Sequence, residues 1–270
     1  VTAQATPLEF DGVGRVFTSA EGRIVALEDV SFVVRSGEFV SVVGPSGCGK
    51  STLLRLAAGL IAPSTGRVFV EGNAAAARSK QTSLGMVFQA PVLMPWRSVI
   101  RNVVLPMELR GWDRARAQTR ARELLEIAGL TGFENHRVWQ LSGGMQQRVA
   151  ICRALALDPE IILMDEPFGA LDALTREDMN LYLARLTEAS RKSVLFVTHS
   201  ISEAVFLSDR VVVMSARPGR LIDTVEVTLP RPRLKETQFA PELGALSERV
   251  YRGVTGKSDS EIANSIRELA

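Results

Sequence analysis

The run Gly44-Pro45-Ser46-Gly47-Cys48-Gly49-Lys50-Ser51-Thr52 has the residue types and spacing of a phosphate-binding loop. Backbone N–H groups can surround an anion only where side chains are absent, which accounts for the glycines. A helix starting at Lys50 would turn its positive end toward the same point. Lys50 has the reach to meet the outer phosphates of a nucleotide, and the Ser51 hydroxyl suits a magnesium ion. A second feature is the apolar run Ile161-Ile162-Leu163-Met164 closed by Asp165-Glu166. A buried strand ending in two acids is common by itself. Beside a phosphate loop, Asp165 becomes a metal-associated carboxylate, and Glu166 a base placed to take a proton from a water attacking the terminal phosphate.

These side chains need elements to aim them. Phe39–Val43 reads as a short buried strand entering the loop, followed by a helix from Lys50 to about Ala58 that Gly59 stops. Leu27–Val34, Arg67–Val70, Leu84–Phe88, Ile161–Met164, Val194–Thr198, Val211–Met214 and Leu221–Val227 have strand character, with a turn at Pro63–Gly66. From about Pro95 to Leu157 the texture is helical. There Asp113 can cap a helix whose apolar positions Ala117, Ala121, Leu124, Leu125 and Ala128 share one face, with Gly129 at its end. Asp178–Ala189 reads as helix, and residues 230–270 as a tail holding a turn and one or two short helices. Strands alternating with helices predict a mainly parallel α/β sheet with both faces covered. Asp165 and Glu166 then lie at a strand's carboxyl end, where open sheets of this class bind ligands.

Bulk composition narrows the function classes. The 270 residues carry 32 basic and 30 acidic side chains, a net charge of +2, which argues against a polybasic nucleic-acid arm. The basic set is 27 Arg and five Lys, so each lysine counts. Mean hydropathy is +0.11, yet no apolar run approaches the ~18–20 residues needed to cross a bilayer. Cys48 and Cys152 make no disulfide framework, and His136 and His199 are too few for a metal cluster, so a reducing compartment is expected. Val1–Pro7 shows neither a basic nor an apolar leader pattern, so no signal peptide is expected.

The segment Leu141-Ser142-Gly143-Gly144-Met145-Gln146-Gln147-Arg148 resembles the signature of ATP-binding-cassette ATPases. Further matches follow in order. Gln89 sits where the family has its Q-loop glutamine, Pro167–Asp172 looks like the D-loop, and Thr198-His199 like the switch histidine. Phe17 looks like the aromatic that stacks on adenine. The strings Leu93–Trp96, Met164–Asp172 and Ala216–Arg220 look like the nitrate/sulfonate/taurine group of bacterial importers. Ser200 stands where the family usually has Asp, and Cys152 where it usually has Ala.

The resemblance implies a P-loop NTPase cassette of α/β class, a RecA-like core with an antiparallel β subdomain and a helical subdomain. Residues 1–94 and 158–229 would form the core, 95–157 the helical subdomain with the signature, and 230–270 a short tail. It implies ATP and Mg2+ as cofactors, with Ser51, Gln89 and Asp165 toward the metal. The loop Gly44–Thr52, together with Ser142, Gly143 and Gly144, would hold nucleotide. Two cassettes would bind ATP head to tail, Ser142–Gly144 of one reaching the γ-phosphate on the loop of the other. Glu166, His199, Lys50 and Gln89 would carry catalysis. The implied partners are a second copy, two membrane-spanning permease subunits and, indirectly, a solute-binding protein, without nucleic acid. The place would be the cytoplasmic face of the bacterial inner membrane, peripherally bound.

The competing reading is a cassette ATPase acting on DNA or ribosomes. DNA-maintenance relatives place long coiled coils between phosphate loop and signature, whereas here one small helical lobe separates Lys50 from Leu141. Ribosome-acting relatives usually carry two cassettes per chain. A P-loop kinase or GTPase would not need Ser142–Gly144, and no Asn-Lys-x-Asp guanine motif is present. Three smaller residues keep two readings each. Phe17 is either core or an adenine platform, and Trp96 either lobe core or the wall of a groove for a membrane subunit. Cys48 is either a quiet small residue or a thiol activated by the helix end, whose alkylation would block ATP binding.

Overall fold

Short apolar runs between turns build the central sheet of the computed structural model, which describes residues 6–19, 22–75 and 84–256. Its strands are β3 (Phe39–Val43), β6 (Leu84–Val87), β7 (Ile161–Asp165), β8 (Ser193–Val197), β9 (Arg210–Met214) and β10 (Leu221–Glu226). They lie in the order β10-β9-β3-β8-β7-β6, parallel throughout except for the antiparallel edge strand β10. Alternate residues of these strands enter two different cores. Val40 and Val42 of β3 and Ile161 and Leu163 of β7 face one, while Phe39, Val43, Ile162 and Met164 face the other. With both faces buried, the runs read as continuously apolar rather than alternating.

The first core is closed by α1 (Lys50–Ala57) and an antiparallel sheet in the order β2-β1-β4-β5. Its strands are β1 (Leu8–Ser19), β2 (Gly22–Val34), β4 (Thr65–Val70) and β5 (Asn73–Ala74). The sequence reading has no strand at β1 and starts β2 only at Leu27. Gly12, with φ near +59°, and register shifts between Phe10 and Val16 break the period-two pattern that would have announced it.

The second core holds α2 (Val99–Leu109), α3 (Arg114–Ile127) and α4 (Gly143–Leu155), which pack together as a lobe, and α5 (Ala173–Ser190) and α6 (Ile201–Leu207). Asp113 caps α3 by accepting from the Arg116 N–H at 3.0 Å, and the apolar face runs as its spacing predicts. Helix α5 starts five residues before the expected Asp178, because Asp172 caps it through the Thr175 N–H (3.0 Å) and hydroxyl (2.7 Å). Residues 230–256 fold back on the core. A 3-10 turn (Lys235–Phe239) leads into α7 (Pro241–Thr255), which packs on α6, β9 and β10. Arg233 is buried there, donating to the carbonyls of Pro230 and Ser208. The first five residues and 257–270, parts of the leader and tail readings, lie outside the described residues.

Candidate functional site

Strand β3 delivers the chain into the loop at Gly44, where a side chain has no room: a Cβ would stand 2.8 Å from the Met214 carbonyl oxygen. Gly47 and Gly49 adopt φ of +75° and +104°, a region open to glycine without strain. A Cβ on Gly49 would also meet Leu27 and the Ala26 carbonyl, so the antiparallel sheet presses directly on the loop. Lys50, 6% exposed, donates from Nζ to the carbonyls of Gly44 (2.8 Å) and Pro45 (3.1 Å). Its ammonium is therefore fixed over the loop. Pro45 and Ser46 form the outer turn, and Thr52 lies half-buried in the first turn of α1.

Strand β7 brings its terminal carboxylate to the same place. Ser51 Oγ donates to Asp165 Oδ1 at 2.9 Å. Burial raises the Asp165 pKa; the Ser51 hydrogen bond lowers it, neighbouring Glu166 raises it, and Arg55 and Lys50 lower it. A partly desolvated carboxylate beside a hydroxyl is a hard-oxygen donor pair of the kind a divalent cation takes. Glu166 follows with φ near +44°, its N–H held by the Val197 carbonyl at 2.8 Å. That left-handed turn aims its carboxylate at the end of β8, where His199 Nδ1 lies 3.2 Å from Glu166 Oε2. Gly169 is the meeting point: a Cβ there would stand 3.4 Å from Gln89 Nε2 and 3.7 Å from His199 Cε1. Lys50, Ser51, Gln89, Asp165, Glu166 and His199 are thus gathered at the carboxyl ends of β3, β6, β7 and β8.

Ser142, Gly143 and Gly144 are elsewhere. Ser142 caps α4 by accepting from the Met145 N–H at 3.3 Å. Ser142 and Gly143 are exposed, so the helix's first N–H groups face solvent. Gly144 lets this helix end approach α5, since a Cβ would come within 2.6 Å of Thr175 Cγ2. Among the described residues no hydrogen bond joins these three to the phosphate loop. The chain presents a loop with its acids and, separately, an anion-ready helix end.

Several contributors escaped the sequence reading. Arg217 donates to the Gly47 carbonyl (3.2 and 3.3 Å), and Gly219 packs so close that a Cβ would lie 2.0 Å from the Cys48 oxygen. Gln147 of α4 donates to the Phe88 carbonyl (3.3 Å), and Arg153 to those of Pro91 and Val92 (2.9 and 2.8 Å), so α4 fixes the segment around Gln89. Buried Asn102 holds the following turn by bonding Met94, Arg97 and Ser98. Apart from those of Asn102, these contacts span long sequence separations and carry no local pattern.

Phe17 lies within β1 rather than before a strand, 37% exposed and opposite Ile24, with the Arg15 guanidinium 4.7 Å over its ring. It is not core. Trp96 is 70% exposed, which removes the lobe-core reading, and Trp139 is also exposed. Trp112 packs against the lobe, with Arg116 stacked on it at 4.1 Å. Cys48 is buried, 3.9 Å from Lys50 Nζ, which favours the quiet small residue over the thiol open to alkylation. A bulky maleimide should label neither Cys48 nor the equally buried Cys152 in the native protein, and both in denaturant; mass spectrometry reads the stoichiometry. Cys152 donates to the Leu124 carbonyl at 3.3 Å, and burial pushes its pKa up to about 12.

A family model described as ABC transporter matches residues 27–169. An uncharacterized ABC transporter ATP-binding protein of Methanocaldococcus jannaschii is 47% identical, the alignment covering 84% of each chain. A taurine import ATP-binding protein of Burkholderia pseudomallei is 49% identical over 78% of this chain and 80% of its own. An aliphatic sulfonates import ATP-binding protein of Bacillus cereus is 41% identical over 87% and 92%. A solved dimeric ATP-binding cassette in a post-hydrolysis state with ADP and Pi superposes with TM-score 0.73 at 35% identity, covering 83% of this chain and all of the other. With the phosphate loop, the paired acids and the separate helix end in their family order, the chain belongs to the ABC transporter family as an ATP-binding cassette.

Proposed function

We propose that this ATPase subunit energises the import of a small sulfonate-type solute such as taurine or an aliphatic sulfonate, nitrate being the nearest alternative. The observation that carries the solute class is the naming of relatives 41–49% identical over more than three quarters of the chain. The loop N–H groups and Lys50 bind the β- and γ-phosphates of ATP, and Phe17 offers a face to adenine. Ser51 and Asp165, with Gln89 nearby, would hold Mg2+, which would offset the charge of the phosphates. Glu166 takes the proton of the attacking water while His199 orients Glu166 and meets the γ-phosphate. The second half of each site comes from Ser142–Gly144 of a second copy, so the working unit is a homodimer.

Two permease subunits would dock on the lobe. An apolar groove lined by Phe88, Val92, Met94, Leu105, Pro106 and Leu109 opens beside Gln89, with Leu109 79% exposed. Its position supports coupling between a membrane subunit and the residue that faces Glu166 and His199. No helix among the described residues is long and apolar enough to cross a membrane, in keeping with a peripheral place on the cytoplasmic side through such partners.

Reconstitution with the permease subunits and binding protein in liposomes tests this. ATP turnover should rise when the binding protein carries taurine or an alkanesulfonate. A response to nitrate alone would replace the solute class, and no response to any solute would remove the import reading.

A further inference from the structure

The mechanism proposed above uses Glu166 and His199 and leaves a buried charged cluster behind them unexplained. Glu203 of α6 is 5% exposed, and burial raises its pKa, partly opposed by the Thr198 hydrogen bond and by Arg176. One oxygen, Oε2, accepts from Thr198 Oγ1 at 2.8 Å. That same hydroxyl accepts the Ser200 N–H at 3.0 Å, so it grips the chain on both sides of His199. The other oxygen, Oε1, lies 3.5 Å from Arg176 Nε of α5. Arg176 in turn donates from its guanidinium to the Leu171 carbonyl at 2.9 Å. Leu171 and Thr175, which flank the start of α5, are the residues that Gly143 and Gly144 approach.

One link is incomplete. Arg176 Nε is buried yet makes no hydrogen bond, its 3.5 Å approach to Glu203 being an ion pair without hydrogen-bond alignment. A buried N–H without a partner is costly, so a small shift of the first turn of α5 that aligns it with Oε1 is favoured. Such a shift would pull on Thr198 through a carboxylate held at both ends.

We propose that Arg176, Glu203 and Thr198 are positioning residues that tie the seat of His199 to the 171–175 turn, and so to the Ser142–Gly144 helix end of the same chain. Docking of the second copy against that helix end closes the Arg176–Glu203 bond and holds His199 in its existing 3.2 Å contact with Glu166. The inference rests on the roles proposed for Glu166 and His199.

The test uses the full chain with saturating ATP and Mg2+. Thr198→Val deletes the hydroxyl at nearly constant shape, and Arg176→Gln removes the guanidinium from a partly exposed position. Each should lower kcat about tenfold or more while leaving the Kd for ATP near wild type, with a melting temperature lower by a few degrees because buried Glu203 loses a partner. Thr198→Ser should restore turnover, and the double variant should be no slower than the worse single one, because both cut one connection. Losses that multiply, or that appear only in melting temperature or ATP affinity, overturn the connection. His199→Ala run in parallel separates the levels. If it abolishes turnover while Thr198→Val and Arg176→Gln do not slow it, the connection alone is wrong. If His199→Ala turns over normally, the site reading itself fails and the connection with it.

Discussion

Glu166→Gln should bind ATP as tightly as the native chain and turn it over about 100- to 10,000-fold more slowly. The amide has the shape of the carboxylate, so the left-handed turn at residue 166 and the contact with His199 Nδ1 survive. Lys50, Ser51 and Asp165, the residues proposed to meet phosphate and metal, are untouched. What is lost is the basicity of the carboxylate, which, unlike the amide, can take a proton from water. The measurement is single-turnover hydrolysis beside equilibrium binding of ATP. Asp165→Asn should differ in kind, weakening the Mg2+ dependence of nucleotide binding, because that carboxylate pairs with Ser51 rather than His199. Normal turnover by Glu166→Gln would leave His199 to act as base and would require a new account of the 3.2 Å contact.

Ser142→Arg has the second large effect, and its value lies in what it spares. The site is exposed at the start of α4 and makes no hydrogen bond to the phosphate loop of its own chain. Arginine there removes the cap, costing about 1 kcal/mol of helix stability. It also fills the space before the exposed helix N–H groups, where we propose that another chain's γ-phosphate binds. Hydrolysis should fall at least about tenfold, while ATP binding to the isolated chain stays within about twofold of native, since Gly44–Thr52 is intact. Loss of ATP binding by the isolated chain would place Ser142 in its own nucleotide site.

Much of this was legible because the chemistry sits where local sequence rules are strict. A loop that closes on phosphate needs glycines at fixed positions, and a buried parallel strand needs an unbroken apolar run. Gly44–Thr52, β3, β7 and β8 therefore read directly, and the ends of α1 and α3 fell at their stop and cap residues. Strand β1 did not, since its glycines and register shifts erase the alternation. The start of α5 was missed because a capping Asp172 inside the Pro167–Asp172 string drew attention as motif rather than as helix start. The supports of the site were the least legible. Arg217 against Gly47 and Gln147 against Phe88 join residues far apart in sequence. Cys48 shows the converse: its place in the loop left a quiet and an activated thiol both open, and only the packing of Gly44, Lys50 and Gly219 around it selects the quiet one.

The central claim is that one chain holds two halves of different sites, completed only by a second copy. Its most direct measurement is the mass in solution of Glu166→Gln with and without ATP, by light scattering. The expected result is a monomer without nucleotide, a dimer holding two ATP with it, and a monomer that still binds ATP once Ser142→Arg is added. A Glu166→Gln chain that remains monomeric under saturating ATP, or a dimer that Ser142→Arg leaves intact, would contradict it.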